Sequence, residues 1–91
     1  MKKFVWDQDK NTELISTRNI SFKDIIECIL NDKLLDVLIN PNSKKYSKQK
    51  LFIVEFNNYA YVIPFVETEK EIFLKTIFPS RKYTKFYIKE K

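Results

Sequence analysis

The chain has 91 residues, with 17 Lys and Arg against 12 Asp and Glu for a formal charge of +5, one cysteine, and neither glycine nor histidine. That length carries one domain, residues 1–91. Without glycine there is no phosphate-cradling loop or dinucleotide fingerprint, and without histidine beside the lone Cys28 there is no Ser-His-Asp or Cys-His catalysis, no intrachain disulfide and no structural zinc site of about four N or S ligands.

Residues 3–6 read as a short strand. Asp7 is placed to N-cap a helix, with Asp9 in the first turn against the helix dipole. This helix runs to about Arg18 and has mainly Leu14 and Ile15 to bury, which puts it on the surface. Asn19 follows as a left-handed C-terminal residue, a position that usually goes to glycine. Ser21 caps a second helix, with Asp24 three residues on completing a short capping box. Phe22, Ile25, Ile26, Ile29 and Leu30 fall on one stripe at helical spacing and read as core. Cys28 lies off the centre of that stripe with no basic neighbour in sequence, and reads as an inert small side chain. Leu34 to Ile39 is a strand, and residues 40–49 have loop composition. Lys50 to Phe56 and Tyr59 to Val66 form a hairpin across Asn57-Asn58, because Asn tolerates the positive φ such a turn requires. Glu67 to Lys70 is a second turn, and Glu71 to Phe78 the last strand.

The expected fold is α+β: a short N-terminal strand, two helices and a four-stranded antiparallel meander, closed by a short C-terminal helix or tail. Both faces of the meander are apolar, whereas a half-exposed antiparallel sheet has a polar face. The second face must therefore be covered from within the domain or by a partner. Pro64 inside a strand requires a bulge or an N–H position that faces away from the ladder. At the end of the chain Ser80 is placed to cap a helix over Arg81 to Lys89, yet Tyr83, Lys85, Tyr87 and Lys89 also alternate at strand period. We take the helix.

Lys44, Lys45, Lys48 and Lys50 fall within residues 43–50 with no acid, and Arg81, Lys82, Lys85, Lys89 and Lys91 within residues 81–91 against Glu90 alone. Each segment carries +4, so the rest of the chain is −3. Charge gathered this way suits an anionic partner, whose phosphate contacts release counterions; the alternative is a solvated lysine surface. The single cysteine fits a reducing compartment, no apolar run reaches the ~18 residues of a membrane span, and Asp7 and Asp9 cut short the apolar start that a signal peptide would need. The expected location is the cytoplasm, with no membrane contact.

RNA can be cleaved without histidine through its own 2′-hydroxyl. That reaction needs a base for the 2′ proton, a cation at the phosphorane and an acid for the leaving 5′ oxygen. Arg suits the phosphate because it binds bidentately and stays charged. Lys10, Lys75, Arg81, Lys82 and Tyr87 belong to the required classes. Lys75 lies inside an apolar strand, where a lysine either snorkels at the sheet rim or is placed for function. Arg81 is one of two arginines in the chain; it either contacts a planar anion or closes an internal salt bridge.

The ordered set Phe4-Val5-Trp6-Asp7-Gln8-Asp9-Lys10-Asn11, Ile20-Ser21-Phe22-Lys23-Asp24 and Ser80-Arg81-Lys82-Tyr83-Thr84-Lys85 with Tyr87 beyond resembles the BrnT-like toxins of bacterial type II toxin–antitoxin pairs. The resemblance spans nearly the whole chain. It departs from the family pattern at Arg18-Asn19, where many members carry His-Gly, and at Tyr83, where a small residue is common. The resemblance implies a RelE-type fold and a metal-independent endoribonuclease without cofactor, neutralised by a cognate antitoxin, usually of ribbon-helix-helix type. It places Lys10, Lys75 and Arg81 as catalytic candidates. Lys82, Lys85 and Tyr87 on its motifs, with Lys44 and Lys45 of the first basic segment, are the candidates for RNA binding, and Trp6 and Asp7 are chiefly structural. On this reading the apolar second face of the sheet takes the antitoxin and the basic edges take RNA. The rival readings are a non-catalytic module that binds nucleic acid or protein through the same basic face, and a homodimer built through the apolar sheet face.

Overall fold

Caps and turns set the boundaries of the elements. The computed structural model describes residues 2–40 and 49–89. In chain order they form β1 (Lys3–Trp6), α1 (Gln8–Arg18), α2 (Phe22–Leu30), β2 (Leu34–Ile39), β3 (Gln49–Phe56), β4 (Tyr59–Glu67), β5 (Glu71–Leu74), β6 (Phe78–Pro79) and α3 (Arg81–Thr84). A π-helical turn over Lys85–Lys89 continues α3. Asp7 Oδ1 accepts the Asp9 N–H at 2.8 Å and the Lys10 N–H at 3.5 Å, satisfying donors that α1 cannot pair internally. Asn19 closes α1 in the left-handed region at φ 54° and ψ 39°. The capping box of α2 is reciprocal: Ser21 Oγ accepts the Asp24 N–H, and Asp24 Oδ2 accepts the Ser21 N–H.

The segments before and after α1 meet. Trp6 stacks on Phe22 with ring centroids 5.8 Å apart, and Asn11 Oδ1 accepts the Phe22 N–H at 2.9 Å. Trp6, Asp7 and Asn11 therefore join β1, α1 and α2, a structural role for three of the residues that carry the family resemblance.

The sheet order is β1-β5-β4-β3-β2. Strands β2 to β5 form the antiparallel meander, and β1 lies at the outer edge, parallel to β5, in the register Lys3↔Glu71 to Trp6↔Leu74. The sheet is thus mixed. The last strand is not continuous from Glu71 to Phe78. The ladder stops at Leu74, and the Lys75 N–H donates to the Pro64 carbonyl at 2.8 Å. Between the pairs Phe65↔Leu74 and Val62↔Phe78, two residues of β4 face three residues, 75–77. Pro64 has no N–H for the ladder, and the extra residue is accommodated as a bulge opposite it.

The helices cover one face. Leu14, Ile20, Phe22 and Ile25 pack on Phe52, Val54, Ile63, Phe65, Leu74 and Ile77, and Phe52 stacks on Phe65 at 3.9 Å. Phe22 is fully buried, so truncation to Ala would remove roughly 3–5 kcal/mol. Leu30, the last position of the α2 stripe, is 73% exposed and does not join the core expected of that stripe. On the other face, Leu51, Ile53, Ala60 and Val62 form a second cluster, covered by Tyr83, Tyr87 and Ile88 of the C-terminal segment and flanked by Leu35 and Leu38. The cover comes from within the domain. Of the two covers that the apolar second face called for, one from within the domain or one from a partner, the fold supplies the first. Among the described residues, no helix is long and apolar enough to cross a membrane.

Candidate nucleic-acid interface

Residues 80–89 are attached to the sheet by their own backbone chemistry. Ser80 caps α3 by accepting the Tyr83 N–H at 3.1 Å. Thr84 is buried; its hydroxyl donates to the Ser80 carbonyl at 2.7 Å and accepts the Ala60 N–H at 2.8 Å. The Ser80 N–H in turn donates to the Ala60 carbonyl at 2.9 Å. Both backbone groups of Ala60 are thereby paired with the C-terminal segment, and Ala60 is small enough to lie beneath it. Further along, the Tyr87 hydroxyl donates to Asp36 Oδ2 at 2.5 Å, which ties the π-helical turn to β2. Asp36 Oδ1 accepts the Val37 N–H at 2.8 Å, so both carboxylate oxygens are engaged. The bond to Asp36 and, secondarily, burial push the Tyr87 phenol up to about 12.

Because Tyr83, Thr84, Tyr87 and Ile88 face the sheet, the residues between them face outward. These are Arg81, Lys82, Lys85, Phe86 and Lys89, all exposed. Four cations and a Phe thus form one outward ridge with no acid among them. The Phe86 ring is 64% exposed and meets Tyr87 edge-to-face at 4.8 Å. Lys82 Nζ lies 5.4 Å from the centroid of the Tyr83 ring, a cation–π contact. Two clefts flank Lys85. One, of about 410 Å³, is lined by Lys82, Tyr83, Lys85, Phe86 and Tyr87. The other, of about 570 Å³, is lined by Tyr59, Arg81, Thr84, Lys85 and Lys89.

The structure brings Arg81, Lys82, Lys85 and Tyr87 together on this element. Tyr87 contributes its ring to a cleft wall, while its hydroxyl is bonded to Asp36. Lys75 lies in the bulge after β5, exposed, with Nζ 4.9 Å from the Phe73 ring centroid. The register puts Phe73 opposite Val66, and Val66 opposite Gln49, on the same side of the sheet as Leu51 and Ile53. Lys75 therefore belongs to the side that carries the ridge. Lys10 does not: it sits in the first turn of α1, whose buried Leu14 packs on the opposite face, and its Nζ pairs with Glu13 at 3.2 Å. Lys44 and Lys45 lie outside the described residues. Phe86, Lys89 and Tyr59 were not singled out as site residues from the sequence. The signal for Phe86 and Lys89 is helical: with Tyr83, Thr84, Tyr87 and Ile88 turned inward, positions 82, 85, 86 and 89 must share the outer side.

Cys28 is not a competing centre. Burial, reinforced by the charge of Asp24, pushes its thiol up and keeps it protonated. Among the described residues, no three His, Cys, Asp or Glu side chains are grouped to hold a metal ion.

The chain matches no family model, and comparisons with curated proteins and with solved structures likewise give no match.

Proposed function

We propose that this protein is a toxin of the BrnT-like type, with a RelE-type fold: an endoribonuclease that engages RNA along the C-terminal ridge and is neutralised by a cognate antitoxin of ribbon-helix-helix type. The observation that carries this reading is the ridge itself. Arg81, Lys82, Lys85 and Lys89 project outward from one anchored element, interleaved with aromatic rings. Cations at this spacing follow a phosphate backbone, and aromatic rings among them take unstacked bases. Arg81 is the group suited to a phosphorane, because its planar fork pairs with two equatorial oxygens and keeps its charge. Lys75 lies on the same side of the sheet and is the further cation for the reaction. The ordered likeness of the N-terminal, middle and C-terminal segments to the toxin family supplies the nuclease part of the reading.

One observation favours the rival, a module that binds nucleic acid without cleaving it. Lys10 lies on the far layer in a pair with Glu13, and the Tyr87 hydroxyl is tied to Asp36. One group expected to take part in the chemistry and one expected to bind RNA are thus engaged elsewhere. Inducing the wild-type chain and Arg81→Ala in a bacterial host that lacks the antitoxin separates the two readings. Growth arrest with fragmented total RNA in the wild type, relieved in the folded Arg81→Ala variant, is the expected result. Normal growth and intact RNA in both, with soluble protein, would leave the binding module.

A further inference from the structure

We infer that the two clefts on either side of Lys85 form one nucleotide site for an unpaired residue of a single-stranded nucleic acid. The base enters the Phe86 cleft and its phosphate lies in the Arg81 cleft. The inference deepens the reading above and rests on it for the choice of RNA over DNA.

An isolated exposed Phe calls for no explanation. Phe86, however, has Lys82 one helical turn before it, Lys85 beside it and Lys89 after it, and its ring forms one wall of a concavity shared with Tyr83 and Tyr87. Tyr87, bonded to Asp36, braces the Phe86 ring edge-to-face, so the wall is set before any ligand arrives. At about 410 Å³ the concavity is of the size that holds a small ligand such as a nucleoside. The neighbouring cleft carries different chemistry: Arg81, Lys85 and Lys89 with the Tyr59 ring. Lys85 lines both, so base and phosphate of a single nucleotide can occupy them together. Cations alone bind duplex and single strand alike. A stacking wall requires a base whose face is free, and a duplex hides those faces.

The test is binding of fluorescently labelled eight-nucleotide probes: a 2′-O-methyl RNA strand, which cannot be cut through its own 2′ oxygen, the matching DNA strand, and the RNA duplex. The single strands should bind more tightly than the duplex. Phe86→Ala should weaken single-strand binding about tenfold, the scale of one lost stacking contact, and leave duplex binding unchanged. Phe86→Leu, which keeps the apolar bulk and guards against a folding artefact, should behave like Phe86→Ala. Phe86→Trp should retain affinity and show quenched indole fluorescence on binding. Arg81→Ala should weaken every probe and, for the single strands, reduce the slope of log affinity against log salt by roughly 0.7. Equal wild-type affinity for duplex and single strand, or single-strand affinity unmoved by Phe86→Ala, overturns the site. A strand bound through Phe86 by a protein that leaves cellular RNA intact sinks the nuclease reading and leaves this site standing. RNA cleavage indifferent to Phe86 does the reverse. Tighter binding of RNA than of DNA ties the site to the nuclease.

Discussion

Tyr87 binds the C-terminal segment to β2 through a proton, and this makes the attachment sensitive to alkali. The phenol is raised from 10.0 to about 12 by its bond to Asp36, so the folded protein holds the proton more tightly than the unfolded chain does. The stabilisation is fully present below pH 10 and is lost as pH rises towards 12. Removing the hydroxyl in Tyr87→Phe should cost about 1 kcal/mol at neutral pH, below the ~1.5–3 kcal/mol of a bond to a charged group because the pair is only part-buried. The difference in urea stability between wild type and Tyr87→Phe should shrink between pH 10 and 12; a constant difference across that range would show that the Asp36 bond does not hold the proton. At this scale the sequence was readable where one residue acts on its own backbone. Asp7, Ser21 with Asp24, and Asn19 cap as their types dictate. Asn11 was readable only as part of a motif, since its task, accepting the Phe22 N–H, joins positions eleven residues apart. The Tyr87–Asp36 bond spans 51 residues and has no local signal.

Elements in a chain without glycine must turn by other means. Among the described residues, positive φ occurs at Asn19, Asp32, Asn57 and Asn58, side chains short and polar enough to tolerate the left-handed region. Asn58, at φ 61° in the β3–β4 turn, tests this. Asn58→Gly should match or slightly exceed wild-type stability, whereas Asn58→Ala should cost about 1 kcal/mol, measured by thermal or urea unfolding. Equal effects of the two would mean that the turn is not held by backbone preference. Turn chemistry is also why most strand limits could be placed from the sequence. The partner of β1 could not, because four residues of strand carry no information about which edge they join. Pro64 announced an interruption, but where the extra residue falls depends on the opposite strand. At residues 81–89 two periods competed, and the helix prevailed because positions 83, 84, 87 and 88 cover an apolar sheet face that would otherwise meet water.

The molecule as a whole is two-sided. A helix layer covers one face of the sheet, and a short segment with a basic outer side covers the other. Lys10 is on the first side, so Lys10→Ala should leave affinity for single-stranded probes within about twofold of wild type, while Arg81→Ala weakens it and flattens its salt dependence. A comparable loss on removing Lys10 would place nucleic acid on the helix layer instead. This two-sidedness was hidden in the sequence, where Lys10 and Arg81 are both cations in motifs of one family likeness. The parallel pairing of β1 with β5 also bears on how the protein is made. Lys3 is synthesised before the two helices and three strands that separate it from its partner Glu71. Strand β1 must therefore wait until those elements have been made, and the second apolar face stays bare until Tyr83 and Tyr87 follow. The nascent chain has neither a finished core nor a ridge, so a protein that attacks RNA from this surface would be harmless to the machinery producing it until residues 80–89 have left the exit tunnel and docked.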